Sequence, residues 1–262
     1  MSINRIKGIL LQELYITKRS LEVIMDLFFF SFVFVIAFGF VTTFLTNSVN
    51  AAAAKFLLLG ILLWEIIRIT QYSMSVGALW NVWSHNLSNM FVAPISLKEY
   101  MLAHVVSGGI KALIVFGGLS IVAANLFGLN VLDLGLNNLA LHFINLTIFS
   151  WSIGIILLGV IFRFGTRIQA LAWGFVYIFQ PLTAAFFPVK VLPPFLQTFA
   201  YTLPPTYVFE AARQNLVNPA IDWNLFSTAF ILNIFYLIAA IWFFNLMFRE
   251  SKNAGQFARL EG

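Results

Sequence analysis

Six apolar stretches, each about 20 residues or longer, limit the fold of this chain more than any other feature of its sequence. A helix of about 20 apolar residues is long enough to cross the hydrocarbon core of a bilayer. Only 10% of the residues are charged, whereas roughly a quarter are charged in a soluble domain. We therefore predict an all-α integral membrane protein that forms one transmembrane domain over 1–262. Its six spans run approximately over 24–45, 56–79, 100–127, 139–162, 168–187 and 223–248.

The positive charges between these stretches predict the sidedness of the chain. With six spans both termini lie on one side, and basic residues concentrate on the cytoplasmic side of membrane proteins. Three basic residues fall on the side opposite to the termini: Lys55, Lys190 and Arg213. Ten fall on the side of the termini: Arg5, Lys7, Lys18, Arg19, Lys98, Arg163, Arg167, Arg249, Lys252 and Arg259. We predict that both termini are cytoplasmic.

The opening segment, 1–23, has the pattern of an amphipathic helix. At 100° per residue, one side carries a row of apolar residues: Ile3, Ile6, Leu10, Leu14 and Leu21. The opposite side carries Arg5, Gln12 and Arg19. This pattern predicts a helix along the membrane surface, with basic residues toward anionic lipid headgroups. A short soluble helix packed on a partner protein is the alternative.

The segment between the second and third stretches, 80–99, is too long for a turn. It reads WNVWSHNLSNMFVAPISLKE, and 82–91 predicts a short helix with Trp83, Leu87 and Met90 on one face. Pro94 ends that helix, and Ser96 with Glu99 predicts a capping box for the third span. Such a helix at the membrane boundary suits docking to another protein, and equally a lipid anchor.

The segment before the sixth stretch, 188–218, is divided by prolines. Pro193 and Pro194, then Pro204 and Pro205, separate two helical pieces too short to span. Irregular backbone at membrane depth occurs only where it is buried in protein or lines a cavity. We predict a re-entrant helical hairpin on the outer side, with Glu210 paired to Arg213 three residues on. It would close a pathway, or simply fill the space above short spans.

Two sequence motifs in these segments resemble the type-2 ATP-binding-cassette (ABC) transporter permeases, the membrane halves of exporters. The run APIS at 93–96 is similar to the end of the family's cytoplasmic coupling helix. The run FFPVKVLPPFLQTFAYTLPPTYVFEAARQ at 186–214 is similar to its signature before the sixth span. The resemblance covers essentially the whole chain. It differs in that 84–91 carries no charged or titratable side chain except His85.

The resemblance implies a homodimer, with the substrate pathway between two copies and two separate ATPase subunits. No G-x-x-x-x-G-K-[ST] loop, the phosphate-binding motif of many ATPases, occurs in the sequence. ATP and Mg²⁺ are therefore expected on the partner ATPase. We expect this chain to bind no cofactor and to carry no catalytic residue. It also implies a prokaryotic inner membrane. The implied ATPase-coupling residues are Trp83, His85, Leu87, Met90, Phe91 and Pro94. The implied outer-gate residues are Pro193, Pro194, Phe195, Pro204, Pro205, Tyr207, Glu210 and Arg213.

Polar residues inside the spans are functional candidates, because charge at membrane depth is costly. Glu65 and Arg68 can form an intrahelical pair, or reach Lys111 or a second subunit. The three histidines and the absence of cysteine argue against a metal site. His142 and Asn145 favour interhelical hydrogen bonds. Glycines at 108, 109, 154 and 159 favour close helix packing.

Two other classes of protein remain as alternatives. An ATP-independent transporter or channel would carry inverted repeats and breaks in the middle of its spans, and the sequence contains neither. An integral-membrane enzyme would need a polar catalytic cluster, which the scattered polar residues do not supply. The presence of a partner ATPase would separate the permease from both.

Overall fold

The computed structural model describes residues 1–48, 51–84, 86, 90 and 92–254, and it is helical throughout that part of the chain, with no strand. The helices up to the middle of the chain are α1 (Ile3–Arg19), α2 (Leu21–Ile24), α3 (Phe30–Ser48), α4 (Ala51–Trp83) and α5 (Leu97–Phe127). They are followed by α6 (Leu136–Phe164), α7 (Gln169–Gly174), α8 (Phe179–Leu182), α9 (Pro194–Ala200), α10 (Pro204–Asn215) and α11 (Trp223–Asn253). A π-helical turn, Met25–Phe29, joins α2 to α3 without a break.

Four stretches of the described chain are long and apolar enough to cross a membrane: Leu21–Thr46, Leu97–Phe127, Leu136–Leu182 and Trp223–Asn253. They contain four of the six predicted spans and most of the fifth, because Leu136–Leu182 covers the fourth span and 168–182 of the fifth. The predicted second span lies in α4, a helix of 33 residues.

The stretch Leu136–Leu182 is not one straight helix. The rings of Phe149 and Phe179 lie 5.6 Å apart, whereas 30 residues of straight helix would separate them by about 45 Å. The chain turns back at Gly165, whose φ of 64° and ψ of −144° are open to glycine but strained for other residues. The two halves of the stretch therefore lie side by side.

The second half of that stretch is loosely wound. 3₁₀ turns at Gly165–Ile168 and Phe175–Ile178 alternate with α7 and α8. The carbonyl oxygen of Ala172 accepts hydrogen bonds from Gln71 Nε2 at 2.9 Å and Ser75 Oγ at 3.2 Å. Side chains of α4 thus satisfy a main-chain acceptor of α7. The helical part ends at Leu182, five residues before the predicted end of the fifth span.

Helix α4 is the centre of the bundle. It carries apolar residues on all sides and a few polar ones, and most of its residues are buried, because α3, α5 and α6 surround it. Glycines permit the close approach, as predicted for Gly154, where an added β-carbon would lie 2.8 Å from Met74 Sδ. At Gly159 it would lie 3.2 Å from Phe244 Cα, whereas at Gly109 it would meet nothing closer than 4.0 Å.

Two boundaries differ from the sequence predictions. Helix α4 continues to Trp83, so the coupling helix does not begin at 82. The chain breaks at Ser20, which is extended with φ −89° and ψ 113°, so Leu21 starts the next helix instead of completing the apolar row of α1. The two short helices predicted within 188–218 are α9 and α10, with proline in the first turn of each.

Candidate coupling and gating sites

The segment 80–99, which we call the coupling segment, turns two of its predicted docking residues inward. Trp83 stacks on Trp173 with ring centroids 5.9 Å apart, and Met90 is buried. Val92, by contrast, is 87% exposed, and Pro94 is exposed as well. Three further predicted residues, His85, Leu87 and Phe91, lie outside the described residues. Among the described residues of this segment, Val92 and Pro94 are therefore exposed, as are Ser84, Ser96 and Lys98, whereas Trp83 and Met90 hold the segment to the bundle.

The end of the coupling segment is attached to the N-terminus of α1. The Ser96–Glu99 capping box is confirmed, with the Glu99 backbone N–H donating to Ser96 Oγ at 3.3 Å. The Glu99 carboxylate also accepts from the Ser2 backbone N–H at 2.6 Å and lies 3.3 Å from Arg5 Nη1. The Arg5 guanidinium donates to the carbonyl oxygen of Pro94 too. A displacement of the segment would therefore be transmitted directly to α1.

These contacts correct the predicted orientation of α1. Arg5 and Gln12 face the bundle, where Gln12 Nε2 donates to Asn81 Oδ1 at 2.9 Å. Ile3, Leu14 and Leu21 are exposed, whereas Ile9 is buried. Helix α1 thus has an exposed apolar face and, beside it, a partly polar face that packs on the bundle. The amphipathic pattern of the sequence did not distinguish these two faces.

Glu13 is the residue of α1 that the sequence analysis missed. Its carboxylate is buried, 2.8 Å from Lys111 Nζ and 3.7 Å from His104 Nδ1. Burial alone would raise the pKa of this carboxyl, but its electrostatic interactions with His104 and Lys111 and its hydrogen bond to Lys111 outweigh burial and lower the pKa below its ordinary value. Its one signal in the sequence was its place as the only acidic residue of α1.

Glu65 and Arg68 form the intrahelical pair that their spacing predicted, with Arg68 Nη2 2.7 Å from Glu65 Oε2. Arg68 also donates to Ser31 Oγ and to the carbonyl oxygen of Asp26. Lys111 does not join this group, because it pairs with Glu13. The buried charges of α4 are thereby satisfied within the subunit.

Asp26 extends the polar network from the π-helical turn to α7. Its Oδ2 accepts hydrogen bonds from Tyr72 Oη at 2.7 Å and from Trp173 Nε1 at 3.4 Å. The network therefore joins the start of the first span to α4 and to the loosely wound α7. The same Trp173 stacks on Trp83 of the coupling segment.

The hairpin forms its own polar contacts. Arg213 Nη2 lies 3.0 Å from Glu210 Oε1, and Arg213 Nη1 donates to the carbonyl oxygen of Ala184 at 3.0 Å. Glu210 Oε1 also accepts from the Val189 backbone N–H at 3.0 Å. These bonds fasten α10 to the turn after α8, where Ala184 has a φ of 51°. A β-carbon at Gly60 of α4 would overlap the carbonyl oxygen of Ala185 in that turn.

The second helix of the hairpin reaches well into the bundle. Phe209 of α10 is buried and stacks on Trp64, with ring centroids 6.5 Å apart. Trp64 lies thirteen residues along α4, about 20 Å from its start. Pro204 and Pro205 are buried, while Phe195 is exposed and Tyr207 half-buried. Thr206 Oγ1 donates to the carbonyl oxygen of Ala200 at 2.6 Å, which closes the hairpin.

The polar residues of α6 bond to other helices, as predicted, each with its own partner. His142 Nε2 lies 3.0 Å from Asn215 Oδ1 of α10, and Asn233 Nδ2 of α11 donates to Asn145 Oδ1 at 3.1 Å. Over the described ranges, no three histidines or acidic residues lie close enough together to hold a metal ion.

An all-helical bundle with four stretches that are long and apolar enough to cross a membrane defines an integral membrane protein. The sequence profile of the ABC-2 type transporter family matches residues 6–217. The chain belongs to this family and is a membrane-embedded permease subunit of an ABC system, which associates with an ABC ATPase. A search of curated proteins found no match to the chain.

Proposed function

We propose that this chain forms the substrate pathway of an ABC exporter as a homodimer, driven by two separate ATPase subunits that bind ATP and Mg²⁺. The observation that carries the proposal is the contact of the coupling segment with α1 through Arg5, Pro94 and Glu99, in a chain of the ABC-2 family. A movement of the ATPase against this segment would be passed to α1, and through Glu13 to α5.

Six spans and cytoplasmic termini belong to the proposal. The turn at Gly165 supports two crossings within Leu136–Leu182, and α4 is about 50 Å long, enough for one more. Counted with the other three stretches, these make six. The excess of basic residues on the side of the termini supports a cytoplasmic position of α1 and the coupling segment. We place the protein in the inner membrane of a prokaryote.

The hairpin α9–α10 is the proposed outer gate. It enters the bundle beside α4 and is held by Glu210, Arg213 and the Phe209–Trp64 stack. Because α9 and α10 are short, their hydrogen bonds and ring stacking can break and re-form without unfolding a span. Because the network of Asp26, Arg68 and Trp173 connects the coupling side to α4 and α7, we propose it as the route by which the spans respond.

The proposed homodimer contact is the exposed face of α7 and the following turn. Ala170, Gly174 and Tyr177 recur on this face at helical spacing and are exposed, and a β-carbon at Gly174 would meet nothing within 4 Å. Small residues at a four-residue spacing let helices approach closely in a membrane. The exposed face of α11, by contrast, carries large side chains such as Phe235, Ile238 and Trp242, which suit lipid.

Co-purification tests the proposal. The chain is expressed with its candidate ATPase and captured in mild detergent, as wild type and as Val92→Asp. The control is Val217→Asp, because Val217 is 83% exposed, close to the 87% of Val92, but lies beyond the hairpin. We expect the ATPase to be retained by wild type and by Val217→Asp and lost from Val92→Asp. If wild type and both variants retain the ATPase, the docking site is wrong. If none of the three proteins retains it, the proposal is wrong.

A further inference from the structure

An apolar groove of about 540 Å³ opens between α1 and α5. Leu10, Leu11 and Leu14 line it from α1, Ile110 and Ile114 line it from α5, and Phe28 of the π-helical turn lies at one end. Pockets for small molecules occupy about 300–1,000 Å³, so the groove is large enough for one chain of a lipid. The Glu13–Lys111 ion pair ties α1 to α5 at this groove, and Lys111 is also one of its lining residues.

The groove lies near the edge of the hydrocarbon layer. Lys111 is fourteen residues from the start of α5, which leaves sixteen residues, about 24 Å, to its other end at Phe127. The hydrocarbon core is about 30 Å thick, so α1 crosses α5 close to the headgroup level. Apolar walls below that level suit an acyl chain, and polar groups beside it meet the headgroup.

The cations beside the groove favour an anionic headgroup. Lys7 lines the groove and is exposed, and no ion pair joins it to a carboxylate within the described residues. Lys111 also lines it, although its charge is balanced by Glu13. The wall therefore carries one net positive charge that no residue described here neutralises. Lys7 projects from the same helix whose leucines face the groove.

We propose that this groove binds one anionic phospholipid of the leaflet in which α1 lies. Its acyl chain lies between α1 and α5 and its phosphate pairs with Lys7. This site is independent of the ATPase, so the result of its test does not decide the proposed transport function. The lipid would fill the space between the helix that contacts the coupling segment and the span to which that helix is tied.

Native mass spectrometry of the delipidated full chain in detergent tests the site. Three ligands are titrated: phosphatidylglycerol, phosphatidylcholine with the same acyl chains, and glycerol 3-phosphate. We expect phosphatidylglycerol to bind several-fold more tightly than the other two. Lys7→Gln lowers its affinity about five-fold, the effect of one lysine at an anionic headgroup. Lys18→Gln, a change of equal charge on the same helix outside the groove, leaves the affinity unchanged.

A second pair of variants tests the acyl site. Ile114→Trp fills the groove, whereas Ile121→Trp alters an exposed position on α5 away from it. We expect only Ile114→Trp to weaken phosphatidylglycerol binding. Four results would each overturn the proposal. The first two are equal binding of the two phospholipids and glycerol 3-phosphate binding as tightly as phosphatidylglycerol. The other two are equal effects of the two lysine variants and equal effects of the two tryptophan variants. Unchanged elution volume in size-exclusion chromatography shows that each variant is folded.

Discussion

Glu13 and Lys111 are 98 positions apart in the chain, yet Glu13 Oε2 and Lys111 Nζ lie 2.8 Å apart. This ion pair joins α1 to α5, in a place where both side chains are largely buried. Breaking a buried pair from one side is costly, because the remaining charge has no partner.

Glu13→Gln is expected to lower the free energy of unfolding by about 3 kcal/mol, because it leaves Lys111 unpaired. Chemical or thermal unfolding in detergent measures the loss. The double variant Glu13→Gln with Lys111→Met is expected to recover part of it, since it removes both charges. If Glu13→Gln changes the free energy of unfolding no more than the surface change Lys18→Gln, the ion pair contributes nothing to stability.

The contribution of Glu13 is also expected to depend on pH. The pKa of Glu13 is lowered in the folded protein, so its stabilisation is fully present above the unfolded value of about 4.3 and is lost as pH falls through the folded pKa. The difference in stability between wild type and Glu13→Gln should therefore stay constant from about pH 5 to 8 and decline only below about pH 4. A decline already near pH 6 would contradict the lowered pKa.

Glu99→Ala is expected to release the N-terminus of α1, because this carboxylate accepts from Ser96, Ser2 and Arg5. Loss of the cap alone costs about 1 kcal/mol. Hydrogen exchange over residues 1–19 should become faster by about one order of magnitude or less. The control is Glu250→Ala, since Glu250 is exposed and its pair with Arg163 spans 3.4 Å. Equal exchange in the two variants would mean that Glu99 does not hold α1.

The local parts of this structure could be predicted from the sequence, because their causes lie within a few residues. The Ser96–Glu99 capping box, the Glu65–Arg68 pair and the prolines at the starts of α9 and α10 are of this kind. Each depends on the three- to four-residue geometry of a helix or on the fixed φ of proline.

The non-local parts could not be predicted, because in a membrane apolarity does not separate the interior of a bundle from its surface. Leu14 and Ile9 are both apolar residues of α1, yet only Ile9 is buried. The burial of Glu13 depends on Lys111, which the spacing within α1 cannot reveal. The loose winding of α7 depends on Gln71 of another helix, which bonds the Ala172 carbonyl.

Gly60→Ala is expected to destabilise the hairpin side of the bundle, because a β-carbon there would overlap the Ala185 carbonyl oxygen. Overpacking of this kind costs about 1–3 kcal/mol. Gly117→Ala is the matched control, because Gly117 lies inside a helix with nothing within 4 Å of the added carbon. That change should be neutral, or stabilising by up to about 1 kcal/mol. Equal thermal stability of the two variants would show that the turn does not press on α4.

Single-cysteine variants test the proposed homodimer, since the natural sequence has no cysteine. Gly174→Cys is expected to form a disulfide-linked dimer on mild oxidation, because it lies on the exposed small-residue face of α7. Ile238→Cys, on the exposed face of α11, should remain a monomer on a denaturing gel. Crosslinking through Ile238→Cys alone would place the dimer contact on α11.

Labelling of the hairpin tip in the complex with the ATPase tests directly whether the ATPase acts on the hairpin through this chain. The complex is reconstituted in lipid with a single cysteine at Tyr201, which is part of the hairpin turn and partly exposed. The rate of maleimide labelling is measured without nucleotide and with a non-hydrolysable ATP analogue, and Leu132→Cys, exposed between α5 and α6, serves as the control. We expect a several-fold change in rate at 201 and none at 132. The same rate at 201 in both nucleotide states would contradict the claim that the ATPase acts on the hairpin through this chain.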